Sequence, residues 1–442
     1  MKPTFFGSLV LLFLLAFVPT LNAKTAPNEL AIKAISENSA ESAPAISELR
    51  GLGPAGLNVL FKTYAKEIDE QVANPLLAPS PEWQRLSAAL DAVSQQKDSY
   101  LSGLYWYTDF AEAKQAARAE GKPILSLRLL GKLSEEYSCA NSRFFRTILY
   151  SNAAVSKMLR ENYILYWQSE RPAPKVTIDF GDGRKLERTL TGNSIHYILD
   201  SDGRVVDALP GLYGPAAFMR ALAATDEGFR QASPQAPMPL SPLSPGFNRQ
   251  RLNALNTSWF VDIEKTGGKV PAGFIVSRDE KGTPQAIEIA TLAMTKMISE
   301  VSILRSLTAS TAALGNMMDE PTWNKIAALH KADAQLDARS IGLIRRQTQY
   351  LLQSNDARDA DAQLQSLIER LEKNIALDTV RNEYLMHTKL YTWFATNRPD
   401  DVETLNKKVY AELFLTPATD PWLGLFSPDV YTALQGGGIS RN

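Results

Sequence analysis

The amino-acid sequence predicts an α/β domain flanked on both sides by helical regions, and three observations lead to this prediction. Short apolar runs alternate with helical patterns between residues 101 and 228, which is typical of a sheet with helices packed against it. Apolar residues recur at intervals of three and four over residues 45–97 and again from Gln285, as they do in amphipathic helices. Residues 231–246 hold five prolines and fit neither pattern, so they predict a linker.

Size and composition describe an ordinary globular chain of more than one domain. At 442 residues the chain exceeds what a single hydrophobic core normally supports. Its 47 basic and 48 acidic residues are intermixed and leave a net charge of −1. A nucleic-acid-binding domain would instead show clustered Lys and Arg, so we expect no nucleic-acid partner.

The N-terminus has the pattern of a secretory signal peptide. Met1-Lys2 precedes an apolar run from Leu9 to Val18, and small residues end this segment at Ala23. A membrane anchor needs roughly 20 apolar residues, and this run is shorter and is closed by Pro19. We therefore expect residues 1–23 to be removed. The mature chain should be exported, periplasmic or extracellular, without a membrane span.

The chain has a single cysteine, Cys139. In an oxidising compartment cysteines tend to pair, but one cysteine cannot form a disulfide within the chain. A disulfide at Cys139 would therefore be formed with another molecule.

Each predicted region contains recognisable elements. Residues 45–97 form a helical module in which Leu57, Leu60 and Tyr64 share one face. Within residues 101–228, the run Ile124–Leu130 predicts a buried strand, and Asn152 is placed to cap a helix. Further strands are expected at residues 163–167, 175–180, 195–199 and 205–209. After the linker, residues 285–442 predict a helical domain.

Several motifs in the α/β region resemble those of a known superfamily. They are Leu104-Tyr-Trp106, Gly121-Lys-Pro-Ile-Leu125, Cys139-Ala-Asn-Ser142 with Phe145, Asn152-Ala-Ala-Val155 and Asn162-Tyr-Ile164. Together they resemble the thioredoxin-like domains of secreted and multidomain proteins. Thr191-Gly192 and Ile198-Leu-Asp-Ser-Asp-Gly203 are similar to that family's segment of a cis-proline, a strand and a turn. The resemblance implies a thioredoxin-like fold for this region.

Two departures from the family pattern bear on activity. In the family, the first cysteine attacks a substrate disulfide and the second releases the mixed disulfide. Here Ser142 stands in the place of the second cysteine, which leaves a C-x-x-S motif. Ser194 stands in the place of the cis-proline that shapes the groove for the substrate backbone. Both departures point away from an ordinary oxidoreductase.

Cys139 is nevertheless the main candidate for chemistry. With Ser138 as the predicted cap, Cys139 falls in the first turn of a helix, where the dipole favours a thiolate. Arg143 and Arg146 follow one and two turns later and would add positive potential, and His196 is a candidate base. The alternative is that Cys139 is a small buried apolar residue and that His196 belongs to the core.

The C-terminal region offers two weaker candidates. Glu383 and His387 are one turn apart on a predicted helix and Asp378 precedes them, but a metal site needs further ligands. We therefore expect a solvated face or an ion pair within the helix, with no metal and no cofactor. Aromatic residues also crowd this region, and they predict either a packed helical core or a groove for a glycan or peptide; they are Tyr384, Tyr391, Trp393, Phe394, Tyr410, Phe414 and Trp422.

Two hypotheses for function follow. The first is a non-catalytic scaffold or binding protein of the cell envelope, in which the thioredoxin-like domain supplies a surface for a protein partner. The second is a monothiol redox or thiol-trapping protein that forms mixed disulfides through Cys139.

Overall fold

The computed structural model describes residues 26–231, 244–268, 320–349, 357–396, 401–423, 433–435 and 439. Within these residues the protein is a mixed α/β structure with a five-stranded sheet, a two-stranded hairpin and many helices. The predicted signal peptide, residues 1–23, lies outside the described residues. The same holds for residues 232–243 of the predicted linker and for residues 269–319.

Five helices precede the sheet: α1 (Pro27–Ala34), α2 (Ser39–Gly51), α3 (Pro54–Thr63), α4 (Ala65–Ala73) and α5 (Pro81–Ser94). The helical region begins upstream of the predicted boundary at residue 45. Part of the reason is that the Asn38 side chain caps α2 by accepting a hydrogen bond from the Ala40 amide at 3.0 Å. Leu57 and Leu60 are buried in an apolar core that these helices share.

The main sheet has the strand order β1–β3–β2–β6–β7, where the strands are β1 (Trp106–Tyr107), β2 (Ile124–Leu130), β3 (Ile164–Arg171), β6 (Ile195–Leu199) and β7 (Val205–Pro210). β1 and β2 both run parallel to β3, whereas β6 is antiparallel to β2 and β7 is antiparallel to β6. All seven residues of β2 are buried, as the apolar run predicted for a strand covered on both faces. The mixed α/β class is therefore confirmed.

A hairpin and four helices complete the sheet region. The hairpin, β4 (Lys175–Asp179) and β5 (Lys185–Thr189), lies between β3 and β6 in the chain. The helices are α6 (Phe110–Glu120), α7 (Ala140–Phe144), α8 (Ala153–Asn162) and α9 (Pro215–Gln231). Asn152 caps α8, as predicted, because its side chain accepts hydrogen bonds from the amides of Ala154 and Val155.

The C-terminal region is helical: α10 (Pro245–Lys265), α11 (Glu320–Leu329), α12 (Ala338–Gln347), α13 (Ala357–Arg381), α14 (Thr388–Thr396) and α15 (Val402–Lys408). Its buried side chains form one continuous apolar core with those of the sheet. The proline-rich stretch thus separates two parts of the sequence that pack into a single core. Among the described residues, no helix combines the length and apolar character that crossing a membrane requires.

Candidate functional site

Cys139 lies just beyond the carboxyl end of β2, where α7 begins. Its backbone amide donates to the carbonyl of Leu130 at 3.1 Å, which ties it to the end of the strand. With φ of −60° and ψ of 160°, Cys139 is itself the N-cap of α7, and its Sγ accepts from the Ser142 amide at 3.4 Å. The predicted cap, Ser138, lies one residue too early, because the extended backbone continues through Cys139.

The hydroxyl of Ser194 lies within hydrogen-bond distance of the thiol. Cys139 Sγ and Ser194 Oγ are 3.5 Å apart, and both side chains are fully buried. The chain before Ser194 also approaches the first turn of α7. A Cβ on Gly192 would lie 3.1 Å from the Asn141 nitrogen and 3.2 Å from the Ala140 Cβ. The two positions singled out from the sequence, Cys139 and Ser194, are therefore in contact.

Ser142 contributes its backbone rather than its hydroxyl to this contact. Its amide donates to Cys139 Sγ, while its buried Oγ has no hydrogen-bond partner within the described part of the chain. The residue in the second-cysteine position is thus close to the thiol but offers it no covalent partner.

Arg143 and Arg146 fasten the loop before Cys139. Arg143 donates to the Ser138 carbonyl at 3.3 Å and to the Thr189 hydroxyl at the end of β5. Arg146 donates to the Glu136 carbonyl at 3.2 Å, and its guanidinium lies 3.7 Å from the carboxylate of Asp98. Both guanidinium groups therefore serve contacts that position the loop.

His196 belongs to the core behind the thiol. Its Nε2 lies 2.7 Å from the Tyr150 hydroxyl, and its ring packs 4.6 Å from that of Phe145 and 5.1 Å from that of Phe218. Complete burial lowers the pKa of His196 to about 3, since no nearby charge compensates the imidazolium. His196 is therefore neutral at ordinary pH, and its Nε2 is engaged by a tyrosine.

Three segments meet at this end of the sheet, and we call them the Cys139 edge: Cys139–Ser142, Gly192–Ser194 and Gly211–Gly214. The third segment joins the second because the Gly211 amide donates to the Ser194 carbonyl at 2.8 Å. Gly211 has φ of +79°, and Gly192 allows the close approach to α7 described above.

Side chains from the C-terminal region cover the Cys139 edge. The Tyr410 hydroxyl donates to the Asn193 carbonyl at 3.0 Å, and the Asn193 amide group donates to the Thr416 hydroxyl at 3.0 Å. Tyr410 is fully desolvated, which raises its pKa well above the ordinary value; the neighbouring carboxylate of Glu170 raises it further. The phenol therefore remains protonated and able to donate.

The same region closes over the third segment of the edge. The Asn382 side chain donates to the Leu212 carbonyl at 2.8 Å, and the Gly214 amide donates to the Thr379 hydroxyl at 2.8 Å. The fit is tight. A Cβ on Gly211 would lie 2.6 Å from Asn382 Nδ2, and one on Gly214 would lie 2.2 Å from the Asp333 carbonyl oxygen.

π-helical turns recur around this cover. They span Phe145–Leu149 after α7, Asn382–His387 between α13 and α14, and Val409–Leu413 after α15. Each inserts an extra residue in its turn, and such turns are frequent at functional sites. Two of the three supply the cover itself, through Asn382 and Tyr410.

Buried ion pairs hold the C-terminal helices against the sheet. Arg128, in the middle of β2, is fully buried, and its guanidinium lies 2.5 Å from Glu403 and 3.3 Å from Glu170. Asp207 of β7 is paired with Arg251 of α10, and its Oδ1 lies 3.2 Å from His387 Nε2. Burial alone would raise the pKa of Asp207, but Arg251 and His387 outweigh it and hold the pKa below its ordinary value.

Glu383 and His387, one turn apart in the sequence, are not joined by a salt bridge among the described residues. His387 faces Asp207 across the sheet interface, and no group of three or more acidic, histidine or cysteine side chains among the described residues is arranged to hold a metal. The sequence predicted a solvated face or an ion pair within the helix, whereas the structure buries His387 and places it against Asp207 on a strand.

Most of the aromatic side chains are packed rather than exposed in a groove. Trp259 is fully buried between Trp323 and Tyr384, with ring centroids 5.8 and 5.6 Å away. Tyr391, Phe394, Tyr410 and Phe414 are buried as well. Among the aromatic residues singled out from the sequence, Trp422 is the one that is exposed, at 45%.

The fold and the site together define a mixed α/β protein whose single cysteine lies at one end of the sheet, at an edge covered by side chains of the C-terminal region. Comparison with known proteins adds no relative. The chain matches no protein-family model, and no significant similarity to a curated protein or a solved structure was found.

Proposed function

We propose that this protein is an exported, non-catalytic scaffold of the cell envelope, built on a thioredoxin-like domain that has lost its redox chemistry. The signal-peptide pattern of residues 1–23 supports export. The thioredoxin-like assignment is supported by the motifs around Cys139. It is also supported by a sheet in which two parallel pairings are followed by two antiparallel ones.

One observation carries the proposal: the backbone beside Cys139 is already bonded to the chain's own C-terminal region. If Ser194 occupies the family's proline position, the Asn193 carbonyl lies where a substrate backbone would be held. Tyr410 fills that place by donating to this carbonyl at 3.0 Å. The groove then binds an internal segment, and the thiol beneath it is fully buried.

The surrounding chemistry agrees with a scaffold. Thiol–disulfide exchange needs an accessible thiolate and a second thiol to release the product. Cys139 is the only cysteine in the chain, and its neighbour in the second position is Ser142. The Nε2 of His196 is directed to the Tyr150 hydroxyl at 2.7 Å and not to the thiol.

The accessibility of Cys139 tests the proposal. Native protein mixed with 5,5′-dithiobis(2-nitrobenzoate) should release almost no thionitrobenzoate, whereas denatured protein should release one equivalent. A matched control moves the thiol to the surface, with Ser47→Cys in a Cys139→Ser background, because Ser47 is exposed on α2. That variant should react at once. Native Cys139 reacting as fast as the control, with a stable glutathione adduct, would instead support the monothiol hypothesis.

Restoring the second cysteine distinguishes two reasons for a lack of redox activity: the missing second thiol and the occupied groove. Ser142→Cys places a second thiol one helical turn from Cys139. We expect reduction of insulin by dithiothreitol to be accelerated only slightly, because Tyr410 still occupies the Asn193 carbonyl. An acceleration typical of an active dithiol enzyme would refute the idea that the groove is filled.

A further inference from the structure

A groove on the N-terminal helical unit lies far along the chain from the Cys139 edge and has no role in the function proposed above. It runs between α4, α5 and the connection of residues 74–80, and it encloses about 260 Å³. Its floor is apolar and aromatic, formed by Tyr64, Trp83 and Leu86. We call it the acidic groove because of its walls, which carry three carboxylates.

Those carboxylates are Glu67, Glu70 and Glu82. None of the three forms a salt bridge with any residue that the structure describes. The chain has no Lys or Arg between Lys66 and Arg85. Arg85 itself is directed elsewhere, to Glu37 at 3.0 Å and to the Ile35 carbonyl at 2.8 Å. The three carboxylates are therefore unpaired among the described residues, although the guanidinium of Arg346 approaches the groove at Gln71, another of its lining residues.

Apolar surface continues at the rim. Leu76 and Leu77, in the connection between α4 and α5, are 46% and 43% exposed, and Leu77 also lines the groove. Exposed apolar residues that adjoin one another and are bordered by charge are a mark of protein-binding surfaces. The groove is smaller than the usual 300–1,000 Å³ of a drug-sized ligand site, so it suits one large side chain of a docked segment.

We propose that the acidic groove docks a basic, amphipathic segment of a partner protein. An apolar side chain of that segment packs on Trp83 and Leu77, and its Lys or Arg residues pair with Glu67, Glu70 and Glu82. Charge complementarity selects this occupant, because an anionic lipid surface or a polyanion would be repelled by the three carboxylates. A metal ion is not favoured, since these carboxylates form no ligand cluster among the described residues.

A binding experiment with a defined probe tests the proposal. The probe is a fluorescein-labelled peptide of alternating Lys and Leu, and its counterpart has Glu in place of Lys. Fluorescence anisotropy with the whole mature chain should show saturable binding of the Lys–Leu peptide at low salt and weaker binding at 0.5 M salt, by roughly tenfold or more. The Glu–Leu peptide should not bind. Binding of both peptides alike would overturn the proposal.

Charge-matched variants locate the site. The triple variant Glu67→Gln, Glu70→Gln, Glu82→Gln should bind the Lys–Leu peptide at least tenfold more weakly than the parent chain. The control Glu29→Gln, Glu41→Gln, Glu48→Gln removes equal charge from exposed positions on α1 and α2 and should change affinity less than about twofold. Equal losses in the two triples would mean non-specific attraction to an acidic protein and would refute the groove.

A second pair of variants tests the apolar contact. Leu77→Ser should lower the affinity for the Lys–Leu peptide severalfold. Leu52→Ser, at a leucine that is equally exposed (45%) but lies outside the groove, should not. Circular dichroism of every variant should match the parent chain, since all these positions are exposed. If Leu77→Ser and Leu52→Ser bind equally well, the rim leucine takes no part and the docking mode is wrong. None of these results depends on Cys139, so they are independent of the scaffold proposal.

Discussion

The stability of the protein should fall in mild acid because His196 is buried without a charged partner. Its imidazole is fully enclosed by the Tyr150 hydroxyl and by the rings of Phe145 and Phe218. Burial lowers its pKa from 6.5 to about 3. In the unfolded chain the imidazole binds a proton below 6.5, whereas in the folded chain it does not until near 3. Its contribution to stability is therefore present above pH 6.5 and is lost as the pH falls toward 3.

The size of the effect follows from the two pKa values. At pH 4.5 the unfolded state is two pH units below its own pKa, and each unit is worth about 1.36 kcal/mol. The free energy of unfolding should thus be lower at pH 4.5 than at pH 7.5 by about 3 kcal/mol from His196 alone. Other groups also titrate over this range, so the quantity to measure is the difference between the parent chain and His196→Gln, which keeps a polar side chain but does not titrate.

Urea unfolding followed by circular dichroism, at pH 7.5 and 4.5, provides the measurement. We expect His196→Gln to be less stable than the parent chain at pH 7.5, because it loses the fit with Tyr150. At pH 4.5 the difference in the free energy of unfolding between the two chains should be much smaller. A gap between parent and variant that is the same at both pH values would refute the reasoning. It would mean that His196 is protonated with similar ease in the folded and unfolded states.

Two further predictions concern ion pairs made by the C-terminal region. His330 lies 2.6 Å from Asp262 and 3.2 Å from Asp333. Its hydrogen bonds to Asp333 and to Asp262 raise its pKa in the folded protein. Its contribution to the free energy of unfolding is therefore full below the pKa of the unfolded chain, and it is lost as the pH rises through the pKa of the folded chain. His330→Gln should accordingly cost more stability at pH 5.5 than at pH 9 in urea titrations, the opposite sense to His196→Gln, and an equal cost at both would count against the ion pairing. Glu403→Gln leaves the buried Arg128 with only Glu170 and should destabilise by about 1–3 kcal/mol, less than a fully buried pair because the Glu403 side chain is 52% exposed. Glu412→Gln, which removes an exposed pair with Lys408 on the same helical segment, should stay within about 0.5 kcal/mol, and a similar loss in both variants would show that Arg128 does not depend on Glu403.

Local features of the fold were readable from the sequence because their causes are local. The apolar run Ile124–Leu130 has no breaker within it and became the fully buried strand β2. Asn152 stands before a helical pattern and caps α8. Gly181 and Gly183, both with positive φ, form the turn between β4 and β5, but β5 was not among the strands expected from the sequence.

What the sequence could not supply is the pairing of distant segments. Tyr410 belongs to a stretch rich in aromatic residues and has the pattern of an ordinary core position, so nothing marks its hydroxyl as the partner of Asn193. Arg128 did carry a signal, since a charged residue in a buried apolar strand requires a counter-charge. The position of that counter-charge, at Glu403, depends on tertiary packing that no local pattern encodes.

The distance in sequence between Arg128 and Glu403 also constrains how the chain reaches its final state. The two residues are 275 positions apart, so the strand is synthesised long before the helix that neutralises its arginine. Until that helix arrives, the sheet holds an arginine without one of its carboxylates, and the thiol of Cys139 lacks the cover that Tyr410 completes. In the folded chain the lone thiol is thus shielded by burial beneath segments that are synthesised late, and not by a resolving cysteine.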